Sequence, residues 1–196
     1  MTPEPPRIEW EKAVSIGTAI QDIFDAYCSR SIIAGSVRRL KPLVKDIEIL
    51  CIPKPAEGQR DLFGNVLDDQ ADALTLYLRG AVREGKSWAL RPNIRGGTTF
   101  GTLNKLMLYE GTPVDIFTGT VANWGRDLWV RTGPAEWNMA TAKRAIELGM
   151  KFHAYGDAAF TRDWKPVSCA TEDAFAHVLG LAAAPRPELR GNEWPR

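Results

Sequence analysis

Asp46 and Glu48 stand one residue apart in the apolar run KDIEILCI, and a third acid, Asp115, sits between Val114 and Ile116 in PVDIF. Side chains alternate along a strand, so Asp46 and Glu48 share one sheet face, about 6.6 Å apart, while Ile47 and Ile49 share the other. An unpaired charge on a half-buried strand is expensive to desolvate, so acids placed here need compensation. Three carboxylates converging from two neighbouring strands would provide it by holding Mg²⁺, which takes a few carboxylates together with substrate phosphate oxygens. Two ions roughly 3.5–4 Å apart stabilise both the attacking hydroxyl and the leaving pyrophosphate of an in-line displacement. Upstream, Gly35-Ser36 offers close backbone approach and a hydroxyl, and Arg38 or Arg39 offers a forked guanidinium for an anionic triphosphate. The set points to phosphoryl transfer.

Each signal is common by itself. Asp-x-Glu in a strand is most often a solvated edge, and turns favour Gly-Ser. The reading rests on their order: Gly-Ser, Arg-Arg, Asp-x-Glu in an apolar strand, then a lone Asp in a second apolar strand.

Trp10, Val14, Ile20, Ile23, Phe24 and Tyr27 recur mostly at three- and four-residue steps and predict an amphipathic helix over about 9–28. The short run SIIAGS follows, then a loop with Lys41-Pro42 leading into the acid-bearing strand. Residues 52–70, rich in Pro, Gly and Asp, predict an exposed loop, and 71–85 a helix. KLMLY and PVDIF predict two strands joined at a hairpin turn around Glu110-Gly111. NWGRDLWVRTG and PAEWNMATAKRAIELG predict consecutive helices with Gly149 as C-cap. YGDAAFTRDWKPVS predicts a hairpin, and Thr171 caps a last short helix. Trp124, Trp129 and Trp137 suit core positions at helical spacing, with stacking platforms for bases as the other use.

Composition narrows the classes. The 196 residues are 44% hydrophobic, enough for one compact domain or two small lobes. Lys and Arg total 25 against 24 Asp and Glu, so any affinity for nucleic acid must come from local clustering. One basic group is Arg38, Arg39, Lys41 and Lys45. A second, Arg79, Arg83, Lys86, Arg91 and Arg95, serves either as phosphate contacts or as a solvated helix face. Cys28, Cys51 and Cys169 lack CxxC spacing, which suggests reduced core thiols rather than a disulfide framework or a zinc site. His153 and His177 are the only histidines, so a Ser-His-Asp triad or a histidine-rich metal site is not indicated, and both are read as structural. No signal-peptide core or membrane-length apolar run is present, and a cytoplasmic location is expected.

GSVRRLKPLVKDIEIL resembles the Gly-Ser…Asp-x-Asp/Glu signature of the nucleotidyltransferase superfamily, with VDIF supplying the third acid. The half running from NWGRDLWVRTG to KPVSCATEDAFAHVLGLAAAPRPELR is similar to the terminal subdomain of family X DNA polymerases, the DNA polymerase beta family. The resemblance covers about 7–56 and 111–190. It implies an α/β (α+β) fold: a palm with a mixed sheet and flanking helices over 1–120, and a small, mainly helical subdomain over 121–196. It also implies a minimal form without the lyase domain.

The same resemblance assigns roles. Asp46, Glu48 and Asp115 would bind two Mg²⁺ ions, with Mn²⁺ as a substitute, and Asp115 would activate a primer 3′-hydroxyl. Gly35, Ser36 and Arg39 would bind the β- and γ-phosphates. Thr132-Gly133 matches a turn near the incoming sugar, Asn138 an asparagine at the base's minor-groove edge, and Lys143 or Arg144 a template-contacting arginine. By their local charge rather than by the resemblance, Arg38 and Lys41 would join them in contacting DNA. The partners implied are a dNTP and gapped or primer-template DNA, without a membrane, for a monomer. The activity implied is dNMP addition in short-gap repair, in a viral or phage-like setting within the host cytoplasm. The alternatives are nucleotide transfer to RNA, protein or a small molecule, and a non-catalytic DNA-binding module.

Three departures stand out. Glu48 replaces the commoner aspartate, Val130-Arg131 replace an aromatic pair, and Pro134 follows Gly133 where the family carries a strained cis peptide. A prolyl bond lowers the cis cost from about 3 kcal/mol to under about 1, so Gly133-Pro134 is expected to be cis.

Overall fold

The computed structural model describes residues 7–56, 71–152, 160–162, 165–191 and 194. His153, residues 57–70 of the expected loop and part of the hairpin expected over 155–168 lie outside the described residues. Among the described residues no helix is long and apolar enough to cross a membrane. Internal contacts divide the chain into two units, residues 1–33 with 42–119 and residues 34–41 with 120–196. The second unit therefore includes the Gly35–Arg39 stretch as well as the C-terminal helices.

In chain order the elements are β1 (Ile8–Glu9), α1 (Trp10–Phe24), β2 (Cys28–Ile33), α2 (Gly35–Arg38, in the second unit), β3 (Leu43–Val44) and β4 (Ile47–Pro53). They continue with α3 (Ala73–Glu84), β5 (Trp88–Leu90), β6 (Asn104–Tyr109) and β7 (Thr112–Thr118). The first unit is a mixed five-stranded sheet of order β2-β4-β7-β6-β5. Only the central pair, β4 and β7, runs parallel. That placement fits their composition: a parallel pair is normally covered on both faces and reads as a near-continuous apolar run, as IEILCI and PVDIF do. β6 and β7 form the expected hairpin, turning at Glu110 (φ 48°) and Gly111 (φ 78°). Two successive positive φ values are what a two-residue type I′ turn needs, and glycine takes the second without strain.

α1 buries Ala13, Gly17, Ile20 and Phe24, a stripe at three- and four-residue spacing. A Cβ on Gly17 would come within 2.6 Å of Ile33 Cδ1 and 3.4 Å of Ile47 Cγ2, so the missing side chain lets the helix lie close on the sheet. Phe24 stacks on Trp88 with ring centroids 6.1 Å apart. The helix ends at Phe24, short of the expected residue 28, because the next residues are taken by the sheet. Lys54 N–H donates to Tyr27 O, and Cys28 pairs with Pro53. The helix expected over 71–85 forms as α3, capped by Asp72, which accepts from Thr75 N at 2.7 Å, and closed by Gly85 (φ 68°).

Lys105 on β6 is fully buried on the sheet face opposite Asp115, and its Nζ has no hydrogen-bond partner among the described residues. The amine lies 5.7 Å from the centre of the Phe100 ring. Burial lowers its pKa below 10.5, with Asp72 opposing the shift. The unfolded chain then holds the proton more tightly than the folded one, so stability rises with pH from the lowered pKa up to 10.5. Lys105→Met is expected to raise stability at pH 7 by about 1–3 kcal/mol, the cost of a buried polar group without a partner. Urea titrations at pH 7 to 10.5 check this: the variant's stability curve should lose the alkaline rise. The three cysteines are free and buried, and the Cys51 and Cys169 thiols are pushed up in pKa, Cys51 first by hydrogen bonding to Cys28 and Cys169 by burial. They are inert core groups.

The second unit consists of α2, α4 (Trp124–Thr132), α5 (Ala135–Glu147), the three-stranded antiparallel sheet β8 (Lys151–Phe152), β9 (Phe160–Arg162) and β10 (Lys165–Pro166), α6 (Glu172–Val178) and a 3-10 turn at Pro187–Leu189. It is the small, mainly helical part expected. Trp124, Trp129 and Trp137 are all buried. Trp129 lies at the middle of the core, 5.4 Å from the Trp137 ring centroid and 5.5 Å, edge on, from Phe175, and its Nε1 donates to Thr141 Oγ1 at 3.0 Å. All three are packing anchors. Thr171 caps α6 by accepting from Ala174 N at 3.1 Å, and Gly149 (φ 77°) follows α5. His177 is exposed, its Nε2 2.7 Å from Ala182 O. The Gly133-Pro134 peptide is cis, as expected.

Candidate active site

The parallel ladder pairs Ile47 with Val114, Glu48 with Asp115 and Ile49 with Ile116. Residues paired in register on adjacent strands point to the same face, so Glu48 and Asp115 stand side by side, roughly 4.8 Å apart across the ladder. Both are half-buried. Asp46 lies at the bend just before β4, two residues ahead of Glu48, and is half-buried as well. α1 covers the face bearing Ile47, so strand alternation leaves the acids on the opposite one.

Leu106 pairs with Asp115 from the other side, and Arg91, just past β5, donates its backbone N–H to Leu106 O at 3.0 Å. Arg91, Leu106, Asp115 and Glu48 thus form one row across four strands. The Arg91 side chain crosses the row, and its Nη2 donates to Asp115 Oδ1 in an ion pair. Arg91 was legible only as one of a loose group of basic residues, because the signal is the register across three strands rather than any local motif. Among the described residues no three His, Cys, Asp or Glu side chains are gathered closely enough to hold a metal ion.

The residues expected to bind nucleotide come together in the second unit. Gly35 (φ 61°) opens α2, with Ser36 half-buried beside it. Arg39 follows the helix and donates through Nη1 to Thr132 O at the end of α4. Gly133 (φ 54°) comes next, and a Cβ there would lie 3.4 Å from Arg39 Nη1 and 3.7 Å from Asn138 Nδ2. Asn138 Nδ2 donates to Val130 O at 2.8 Å, while its Oδ1 is buried and accepts no hydrogen bond among the described residues. Gly35, Arg39, Thr132, Gly133 and Asn138, distant in sequence, therefore share one locality.

Of the residues assigned to DNA, Lys41 and Lys143 are exposed. Arg144 donates from Nε to Leu179 O at 3.1 Å. Arg38 has a different employment in this structure. Its guanidinium donates to Thr132 Oγ1 at 2.7 Å and grips Glu172 through both terminal nitrogens at 3.0 and 2.6 Å. Arg190 donates to the same carboxylate at 2.8 Å and lies 4.6 Å from the Trp129 ring centre. Burial lowers the pKa of Arg190, and Glu172 opposes that shift. One carboxylate therefore serves two guanidiniums and ties α2 to α6, while the Arg38–Thr132 bond ties α2 to the end of α4. Glu172→Gln should lower the unfolding free energy by about 1.5–3 kcal/mol, the usual worth of hydrogen bonds to a charged group. Denaturant titration of the two proteins reads this directly. Glu172 was not legible as a site residue, since it appears locally as an ordinary first-turn acid.

No protein-family model matches the sequence, and no curated protein matches it. Solved structures do. A ternary P/T complex of Leishmania infantum polymerase beta is 17% identical, with a TM-score of 0.65 over 96% of this chain and 78% of that one. The ternary gap complex of the same polymerase is 16% identical, with a TM-score of 0.67 over 95% of this chain and 71% of that one. The likeness runs through both units rather than the palm alone, and it meets the family X resemblance of the sequence at the level of architecture: the chain has the polymerase beta fold.

Proposed function

We propose that this chain transfers a nucleotide from a deoxynucleoside triphosphate to the 3′-hydroxyl of a DNA primer, at a short gap or a primer end. The observation that carries the proposal is the β4–β7 register, which sets Glu48 beside Asp115 with Asp46 two residues away, in a chain of polymerase beta fold.

The acids suit a hard cation. Glu48 and Asp115 offer adjacent half-buried carboxylate oxygens, the donor type that Mg²⁺ accepts, and they would hold the two ions with Asp46. Bound there, divalent cations supply charge stabilisation for the attacking and leaving oxygens. Asp115 would take the proton of the 3′-hydroxyl. The Gly35 backbone and Ser36 hydroxyl would meet the β- and γ-phosphates, with Arg39 adding its guanidinium. Glycine at 133 leaves room beside Arg39 and Asn138 for the sugar, and the unpartnered Asn138 Oδ1 would accept from the base edge. Lys41, Lys143 and Arg144 would contribute salt-sensitive phosphate contacts.

A primer-extension assay tests the class of acceptor. With Mg²⁺ and all four dNTPs, a one-nucleotide gap should be filled and a nicked duplex left unchanged. Labelling of RNA, protein or a small molecule without any DNA extension would replace this reading with another nucleotidyl transfer.

A further inference from the structure

Two half-buried carboxylates set side by side repel each other, and something must balance them before any cation arrives. The structure supplies Arg91. It reaches Asp115 from two strands away, and its position is built rather than incidental. Its backbone is fixed to Leu106, Pro92 pairs with Thr98 just beyond it, and Asn93 Oδ1 accepts from the N–H groups of Arg95 and Gly97 at 2.9 and 3.2 Å. This small pinned loop holds Arg91 at the edge of the acid row. The arginine and the aspartate side chains are 20% and 15% exposed, dry enough for a strong pair and open enough for exchange.

We infer that Arg91 is a tethered substitute for a divalent cation: it neutralises Asp115 in the cation-free protein and competes with metal for that carboxylate. The inference rests on the proposed reading of the acids as cation ligands. The Asp115 oxygen that accepts the Arg91 N–H is an atom a cation would coordinate, so guanidinium and metal compete for the same lone pairs. Removing the guanidinium also leaves the acid row more negative. Both effects make metal binding tighter when Arg91 is lost, the opposite of what a residue serving only to stabilise the sheet would do.

The test is Mn²⁺ binding without nucleotide or DNA, followed by the loss of the free-ion electron paramagnetic resonance signal. It compares wild type, Arg91→Met, Arg91→Lys and Asp115→Asn, with melting temperature recorded alongside. Arg91→Met should bind Mn²⁺ roughly tenfold more tightly than wild type, about 1.4 kcal/mol. Its melting temperature should also rise more on adding Mn²⁺. Arg91→Lys keeps a positive charge without the fork and should fall between the two, which keeps the comparison usable if the Met variant folds poorly. Asp115→Asn should bind more weakly than all of them. If neither Arg91 variant binds more tightly than wild type while Asp115→Asn weakens binding, the competition is overturned and the cation site stands. If wild type and both Arg91 variants fail to bind Mn²⁺, the cation reading of the acids falls together with the inference.

Discussion

Asp115→Asn is expected to cut the rate of nucleotide addition by about a thousandfold or more, at least roughly 4 kcal/mol of transition-state stabilisation. The substitution keeps the size and shape of the side chain and an oxygen that can still accept from Arg91, so the sheet should survive. It removes the negative charge that would hold a cation and the basic oxygen that would receive the 3′-hydroxyl proton. Along the chain its neighbours Val114 and Ile116 are apolar and buried, Leu106 pairs with it from β6, and the one adjacent carboxylate, Glu48, is itself assigned to the cations. Single-turnover extension, with circular dichroism and a melting curve on the same preparation, separates lost chemistry from lost fold. A variant that folds normally and retains turnover within a factor of ten would remove Asp115 from the mechanism.

Gly125→Ala should be the most damaging substitution for stability. Gly125 lies in the first turn of α4 and donates its N–H to Cys169 O at 2.9 Å, holding the helix against the segment that leads into α6. A Cβ at this position would overlap the carbonyl carbon and oxygen of Thr171, backbone atoms that cannot rotate away. Relief requires α4 to separate from Thr171, the N-cap of α6. Trp129 and Phe175 face each other across the same pair of helices, so the movement would open the core of the second unit. A loss above about 4 kcal/mol is expected, in the exceptional range for a single substitution. Thermal unfolding followed by tryptophan fluorescence would show it, and a melting temperature within two or three degrees of wild type, about what 1 kcal/mol moves a chain of this size, would contradict it.

Much of this architecture is legible in the residues because local and tertiary signals agree. Strand alternation in KDIEIL and PVDIF, the Glu110-Gly111 turn, the Thr171 cap and the tryptophan spacing each name an element that forms. Where they disagree, tertiary pairing wins: the periodicity of α1 runs on to Tyr27, yet the β2–β4 ladder claims the chain from Cys28. The adjacency of Glu48 and Asp115 also follows from a resemblance and from strand pattern, but its register does not, since register depends on how two strands 67 residues apart align. Arg91 and Glu172 were hidden for the same reason. Each is an ordinary charged residue in its own segment and acquires its role only through a partner brought from elsewhere, Asp115 in one case and Arg38 with Arg190 in the other. Arg38 shows the converse. Its place beside Arg39 suggests a DNA contact, whereas the fold commits its guanidinium to Glu172 and Thr132. Lys105 had no sequence signal at all, because a lysine in KLMLY looks solvent-facing until the sheet and Phe100 enclose it.

In the proposed function the acids on and beside β4 and β7 hold the cations that drive transfer to DNA. Anomalous diffraction from crystals grown with Mn²⁺, one-nucleotide-gapped DNA and a non-hydrolysable dNTP tests it most directly. Manganese is expected on the carboxylates of Glu48 and Asp115, with Asp46 completing the set and a phosphate oxygen of the nucleotide bound to the metal. Manganese and nucleotide bound together elsewhere on the chain, with the Glu48–Asp115 pair bare, would contradict it.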